Sequence, residues 1–238
     1  MAILCWDGTP GSGKSFHMAK MLLGKFKTKT NIIVNFPMNQ KMVDKAKLKQ
    51  KKGDVIYKDN SDLTVSFLVR YALSNHKLGV ENQGIIVFDE AQIIFNSRNM
   101  DRNERARWIS FFTQHRKFGY NIYLVCQSMR MIDRQIRDLV ETETTHRKIN
   151  NNGFGGMLLT LFTWHSFFMA IEKWCGGNGV IVSKDFFVYS KRISKIYDSY
   201  HLFDDFGLKD FEDLICAPVV SDGMSLATGT FRKRTEHK

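Results

Sequence analysis

Proline is scarce in this chain, three in 238 residues, and no stretch is rich in proline or serine. That argues against a long linker and for one large α/β domain with a sizeable buried core. Cysteine is equally sparse. Cys5, Cys126, Cys175 and Cys216 are scattered, without a C-x-x-C, which speaks against a disulfide scaffold and a zinc site. Cys5 and Cys126 lie in apolar strand-like runs and read as buried thiols in a reducing compartment. No internal repeat is present. The amino terminus lacks a basic leader and does not read as a signal peptide. Long apolar runs are also missing. The nearest approach, Phe154 to Ile171, carries no full charge but is diluted by Thr160, Thr163, His165 and Ser166. A membrane span needs about 20 predominantly apolar residues, so buried strands or a core helix is the favoured reading there.

Acidic residues are outnumbered, 24 against 35 Lys and Arg, giving a formal charge of +11 and a pI near 9.5. This excess bears on partners, not on fold. Lys41, Lys45, Lys47, Lys49, Lys51 and Lys52 form one basic cluster, and Arg98, Arg102, Arg105 and Arg107 form another. The lysine run reads first as a solvated surface segment. Its functional alternative is a patch for DNA or an anionic membrane face.

What is present begins at once. Gly8-Thr9-Pro10-Gly11-Ser12-Gly13-Lys14-Ser15 spells G-x-x-x-x-G-K-S. The apolar run Ala2 to Trp6 precedes it, and Ser15 to Phe26 follows with helical spacing of Phe16, Met18, Ala19, Leu22, Leu23 and Phe26. Strand, glycine turn and helix are the context in which this motif cradles phosphate. The backbone from Gly8 through Phe16 would curl around one anion, every residue but Pro10 offering an N–H and the helix dipole adding to them. Lys14 would reach the outer phosphates and Ser15 would help hold Mg²⁺.

Further along, Asn31–Val34 and Asp54–Tyr57 read as strands and Leu63–Leu73 as a helix. The continuous run Ile85 to Phe88 reads as a strand covered on both faces. Arg105–Phe118 reads as a helix capped by Gly119, Ile122–Cys126 as the next buried strand, and Met131–Glu143 as another helix. This alternation predicts a mainly parallel sheet flanked by helices. After Glu143 the pattern changes, with strands expected at Val180–Val182 and Phe186–Tyr189. From about Ser221 the chain reads as a solvated tail.

The chemistry gathers at strand ends. Asp89 follows four buried apolar residues and should emerge at the carboxyl edge of the sheet, where it can orient Mg²⁺. Glu90 beside it can position and polarise a water for attack on the γ-phosphate, which favours hydrolysis over transfer. Gln127, ending the next strand, either senses the γ-phosphate or is a plain loop residue. Such hydrolases use a cation on the transferring phosphate, often an arginine in trans. Arg116 is one candidate, Arg130, Arg134 and Arg137 are others, and any of them implies a ring of subunits.

Together, Gly8–Ser15, Phe88-Asp89-Glu90-Ala91-Gln92, Gln114-His115-Arg116 with Gly119, the strand ending at Gln127, Ile132-Asp133 with Arg137, and the tyrosine-bearing stretch Ile196–Tyr200 resemble the zonular occludens toxin (Zot) family. Its members include the assembly ATPases of filamentous phages. The resemblance covers roughly residues 1–200. It implies a RecA-like P-loop NTPase core at 1–145, a small β-containing extension of the same domain at 146–203, and a tail at 204–238. It also implies ATP and Mg²⁺ as ligands and a motor driving phage extrusion through the host inner membrane. Gly8, Gly11, Gly13, Lys14 and Ser15 would bind phosphate and metal, Asp89 would serve the metal, Glu90 the water and Gln127 the γ-phosphate. Implied partners are further copies of the chain, phage coat and assembly proteins, a single-stranded DNA-containing particle, and the cytoplasmic face of the membrane. Many members continue into a transmembrane helix and an extracytoplasmic tail. Neither is legible after Tyr200, so the toxin activity attributed to that region is not carried over. A DNA-translocating ATPase of the FtsK/HerA type is the alternative, and a nucleotide-dependent scaffold without turnover is a third reading.

Overall fold

The computed structural model describes residues 1–47, 53–98, 100–149, 166–176 and 179–197. Among these, eight strands form one sheet: β1 (Ile3–Asp7), β2 (Asn31–Val34), β3 (Val55–Tyr57), β4 (Gly84–Phe88), β5 (Tyr120–Val125), β6 (Thr142–Lys148), β7 (Phe167–Trp174) and β8 (Ile181–Val188). Their spatial order is β3-β2-β4-β5-β1-β6-β7-β8. The six strands from β3 to β6 run parallel, and β7 and β8 extend the sheet as an antiparallel hairpin. Parallel neighbours need crossovers that cover both faces, which is why β2 and β4 carry the continuous apolar runs Ile32–Val34 and Ile85–Phe88, while β5 adds Ile122, Leu124 and Val125 to the core.

Helix α1 (Lys14–Lys25) covers one face. Its Met18, Ala19 and Leu22 pack with Trp6, Ile32, Val34, Val87 and Val125. On the same side α2 (Gln40–Lys47) carries the start of the lysine cluster, with Val43 buried beneath it. Helices α3 (Val65–Asn75) and α5 (Arg102–Gln114) cover the other face, over Cys5, Ile86, Phe88, Ile122 and Leu124. Between them in the chain a single turn, α4 (Ala91–Ile94), follows β4. Thr64 caps α3 by accepting from the Phe67 amide, and Asp101 caps α5 through Asn103, each satisfying an otherwise orphaned donor. Gly119, at φ +80°, turns the chain from α5 into β5. Cys5 and Cys126 lie face to face in the core, Sγ to Sγ 3.6 Å, and this mutual contact with burial pushes the Cys5 thiol far up.

Two expectations need correction. The helix expected at Met131–Glu143 is instead a 3-10 turn at Met129–Met131, a one-turn helix α6 (Arg134–Arg137), and the start of β6 at Thr142. Ile132, Ile136 and Val140 do enter the core, but Asp133 caps only a short turn by accepting from the Gln135 amide. The β-branched Thr142, Thr144 and Thr145 then favour extension alongside β1. The two short strands expected near Val180 and Phe186 are one strand, β8. The Asn31–Val34 strand has the expected bounds. Of the Phe154–Ile171 run, residues from Phe167 onward form part of β7, and 154–165 lie outside the described residues, as does the tail. Among the described residues no helix is long and apolar enough to cross a membrane.

Candidate functional site: a phosphate loop facing a buried acid

The register Phe88↔Leu124 and Trp6↔Val125 aligns the carboxyl ends of β4, β5 and β1 on one rim of the sheet. The loop from Gly8 to Gly13 leaves β1 there and enters α1, whose first residue is Lys14. The Gly8 amide donates to the Gln127 carbonyl at 3.4 Å, so the loop is pinned to the end of β5. Thr9, Pro10 and Gly11 are exposed at its crest, whereas Ser12 is buried. The Lys14 side chain is buried and its ammonium donates to the carbonyls of Gly8 at 2.5 Å and Thr9 at 3.3 Å. Phe16 turns away from the loop into an aromatic cluster with Phe187 (5.9 Å between ring centroids) and Phe168 (6.4 Å). Only its backbone is left to face the loop.

Asp89 sits at the end of β4 and is buried. One carboxylate oxygen accepts from the Glu90 amide at 3.0 Å and the other from the Tyr197 hydroxyl at 2.6 Å. Burial, with repulsion from Glu90, holds its carboxyl above the usual range. The Tyr197 hydrogen bond, the Glu90 amide and the charge of Lys14 pull the other way. Ser15 lies close enough to the same hydroxyl to offset part of the rise that burial and Asp89 impose on it. Ser15, in the first turn of α1, and Asp89, at the end of β4, thus both lie beside the Tyr197 hydroxyl. Their hard oxygen donors suit Mg²⁺, which binds through one or two side chains plus phosphate and water. Among the described residues no cluster of three or more His, Cys, Asp or Glu forms a protein-only metal cage.

Glu90 adopts a left-handed backbone conformation, φ +47° and ψ +44°, unusual for a side chain of this kind. The Gln92 amide donates to its carboxylate, and Gln92 is itself buried. Gln127 is exposed at the end of β5, which lies between the β1 and β4 strands. Arg116 is elsewhere. It follows α5 at the amino-terminal rim of the sheet and pairs with Glu141 at 2.7 Å. Five- and six-residue strands put the two rims about 17–20 Å apart. Arg134 pairs with Asp138, and Arg105 with Asp133.

Sequence reasoning missed two supports. Asn35, just past β2, accepts from the Asp89 amide at 2.6 Å and donates to the Asp89 carbonyl at 2.9 Å. A short amide residue directly after a buried parallel strand was the available signal. Behind the loop, the buried His146 pairs with the half-buried His17, Nε2 to Nδ1 2.9 Å. Nothing in their spacing marks them. The His146 Nδ1 faces the carbonyls of Asp7 at 3.1 Å and Thr144 at 3.2 Å and must donate, so Nε2 accepts from His17. Burial lowers both pKa values to about 4, with Lys20 adding to it at His17, and His17 and Lys14 adding to it at His146.

A glycine loop at the mouth of α1, a buried acid at the end of β4, and β5 inserted between their strands define a P-loop NTPase of RecA-like fold. A solved ATPase domain has a similar fold, with a TM-score of 0.52 at 9% identity over 83% of this chain and 84% of that one. The chain belongs to the zonular occludens toxin (Zot) family, whose model matches residues 2–201. It is 25% identical over 137 residues to the Gene 1 protein of Escherichia phage If1, covering 58% of this chain and 38% of that protein. It is 25% identical over 166 residues to the Gene 1 protein of Enterobacteria phage f1, covering 68% of this chain and 47% of the relative. The chain thus spans less than half the length of these curated relatives.

Proposed function

We propose that this chain is an ATP-hydrolysing motor of filamentous phage assembly, driving extrusion of the particle through the host inner membrane. Family membership and the phage Gene 1 relatives favour this over a DNA-translocating ATPase. The observation that carries the hydrolase part is the burial of Asp89 on the rim where the Gly8–Gly13 loop leaves β1 for α1, with Lys14 close enough to act on the Asp89 charge. In this reading the backbone N–H groups between Gly8 and Phe16, all but that of Pro10, which has none, and the Lys14 ammonium bind the phosphates. Ser15 and Asp89 hold Mg²⁺, which supplies positive charge to the phosphates when bound. Glu90, oriented by Gln92, takes the proton of the attacking water as the bond between the γ-phosphorus and its bridging oxygen breaks, releasing ADP and phosphate. Gln127 contacts the γ-phosphate. Arg116, exposed on the far rim, serves only the site of a neighbouring copy, so the working form is a homo-oligomer. Coat and packaging proteins, single-stranded DNA and the cytoplasmic membrane face are the partners this role requires.

The test is a pair of variants. Lys14→Ala should abolish nucleotide binding or weaken it severely. Glu90→Gln should retain ATP and lower turnover by about 10²-fold or more. Equal ATPase rates for wild type and Glu90→Gln would remove Glu90 from its role, and ATP binding untouched by Lys14→Ala would sink the site. ATPase stimulation by coat protein or membranes supports the assembly role, whereas stimulation by DNA alone favours translocation.

A further inference from the structure

Tyr197 comes from far along the chain yet ends inside the site. It follows the one-turn helix Lys191–Ser194, and an isolated antiparallel bridge pairs it with Met38. The Asn39 amide donates to the Ile196 carbonyl at 3.0 Å, Ile196 is buried, and the Tyr197 ring packs on Phe36 at 5.1 Å. These contacts fasten the segment to the turn after β2 and aim the phenol between α1 and β4. There it donates to Asp89 Oδ2 at 2.6 Å, close to Ser15 in the first turn of α1. The hydroxyl therefore occupies one oxygen of the acid that the nucleotide-site reading assigns to the metal.

We propose that Tyr197 is a latch released by metal–nucleotide: its hydroxyl occupies the Asp89 oxygen that Mg²⁺ or its water needs, so loading the site displaces the phenol and frees Ile193–Tyr197 from the turn at Met38–Asn39. This rests on the nucleotide-site reading above. A carboxylate oxygen 2.6 Å from the phenol that donates to it cannot at the same time be taken up by a hydrated cation. The coupling is reciprocal: seating the latch weakens metal–nucleotide binding, and binding unseats the latch. The site thereby reports its occupancy to a segment that contributes nothing to the phosphate loop.

Tyr197→Phe in the full chain removes the hydroxyl and keeps the ring on Phe36. Binding of a fluorescent, non-hydrolysable ATP analogue is measured in Mg²⁺ and in EDTA. The variant should bind roughly tenfold tighter in Mg²⁺, as expected for removing a competing hydrogen bond to a charged group, with equal affinities in EDTA. Unchanged or weaker binding in Mg²⁺ overturns the latch. In the wild-type chain, hydrogen exchange at the Asn39 amide should quicken with the analogue and Mg²⁺, and stay slow with the analogue in EDTA. Persistent protection in Mg²⁺, with the analogue bound, also overturns the latch but leaves the nucleotide site standing. A wild-type chain that binds no analogue overturns both.

Discussion

At Gly13 the backbone has φ +94°, and a Cβ built there would lie 2.6 Å from Cδ1 of Phe168 and 2.8 Å from its Cγ. Phe168 cannot easily yield, because it is buried against Phe16 and Phe187. Gly11 offers a control in the same loop: its φ is +75°, but a Cβ there would meet nothing within 4 Å. Gly11→Ala therefore bears only the backbone strain, about 1–2 kcal/mol. Gly13→Ala adds a clash with a packed ring and should cost about 3 kcal/mol or more. Denaturant unfolding of the two variants checks the ordering. Equal losses would mean that the aromatic cluster gives way, and that the antiparallel hairpin does not buttress the loop as its contacts imply.

Between elements, the acid of β4 is held by the amide of β2. Asn35→Ala would strip both hydrogen bonds from the buried backbone of Asp89 and leave an N–H and a C=O unpaired. The expected loss is about 2–4 kcal/mol of stability, with weaker Mg²⁺-dependent nucleotide binding because the carboxylate loses its fixed origin. Calorimetry and nucleotide titration of the variant read the two effects separately, and a stable variant with wild-type affinity would contradict the clamp. That clamp also marks how far the sequence was legible. The phosphate loop, α1 and the runs of β4 and β5 follow from local patterns, and placing Asp89 at a strand's carboxyl end needs only a continuous apolar run. Which strand neighbours which is a long-range fact, so Asn35, 54 residues from its partner, could not be found that way. The Met131–Glu143 stretch misled for a different reason. Its apolar spacing is the same whether one long helix or a short turn delivers Ile132, Ile136 and Val140 to the core, and the threonines decided the matter.

Across the whole molecule, the parallel core and the antiparallel hairpin meet at the histidine pair. His17 of α1 stacks on Trp6 of β1 at 4.5 Å, bonds His146 of β6, and lies 4.7 Å from Phe187 of β8. Both imidazoles are neutral when folded, with pKa values lowered to about 4 chiefly by burial. Unfolded histidines titrate near 6.5, so between those values the unfolded chain binds more protons and stability falls as pH falls. The direction is the reverse of a salt-bridged histidine. From pH 7 to pH 5 each histidine should remove about 2 kcal/mol, and the loss should level off below about pH 4. Asp89, whose carboxyl is held above the usual range, acts in the opposite sense. His17→Asn isolates the imidazole contribution, since it deletes one of the two titrating rings and leaves Asp89 in place. Urea unfolding at pH 7 and pH 5 should show a clearly shallower pH dependence in that variant than in the wild type. If both proteins lose stability equally on acidification, the pair is not what ties the hairpin to the nucleotide core, and the coupling must run through the Phe16–Phe168–Phe187 cluster alone.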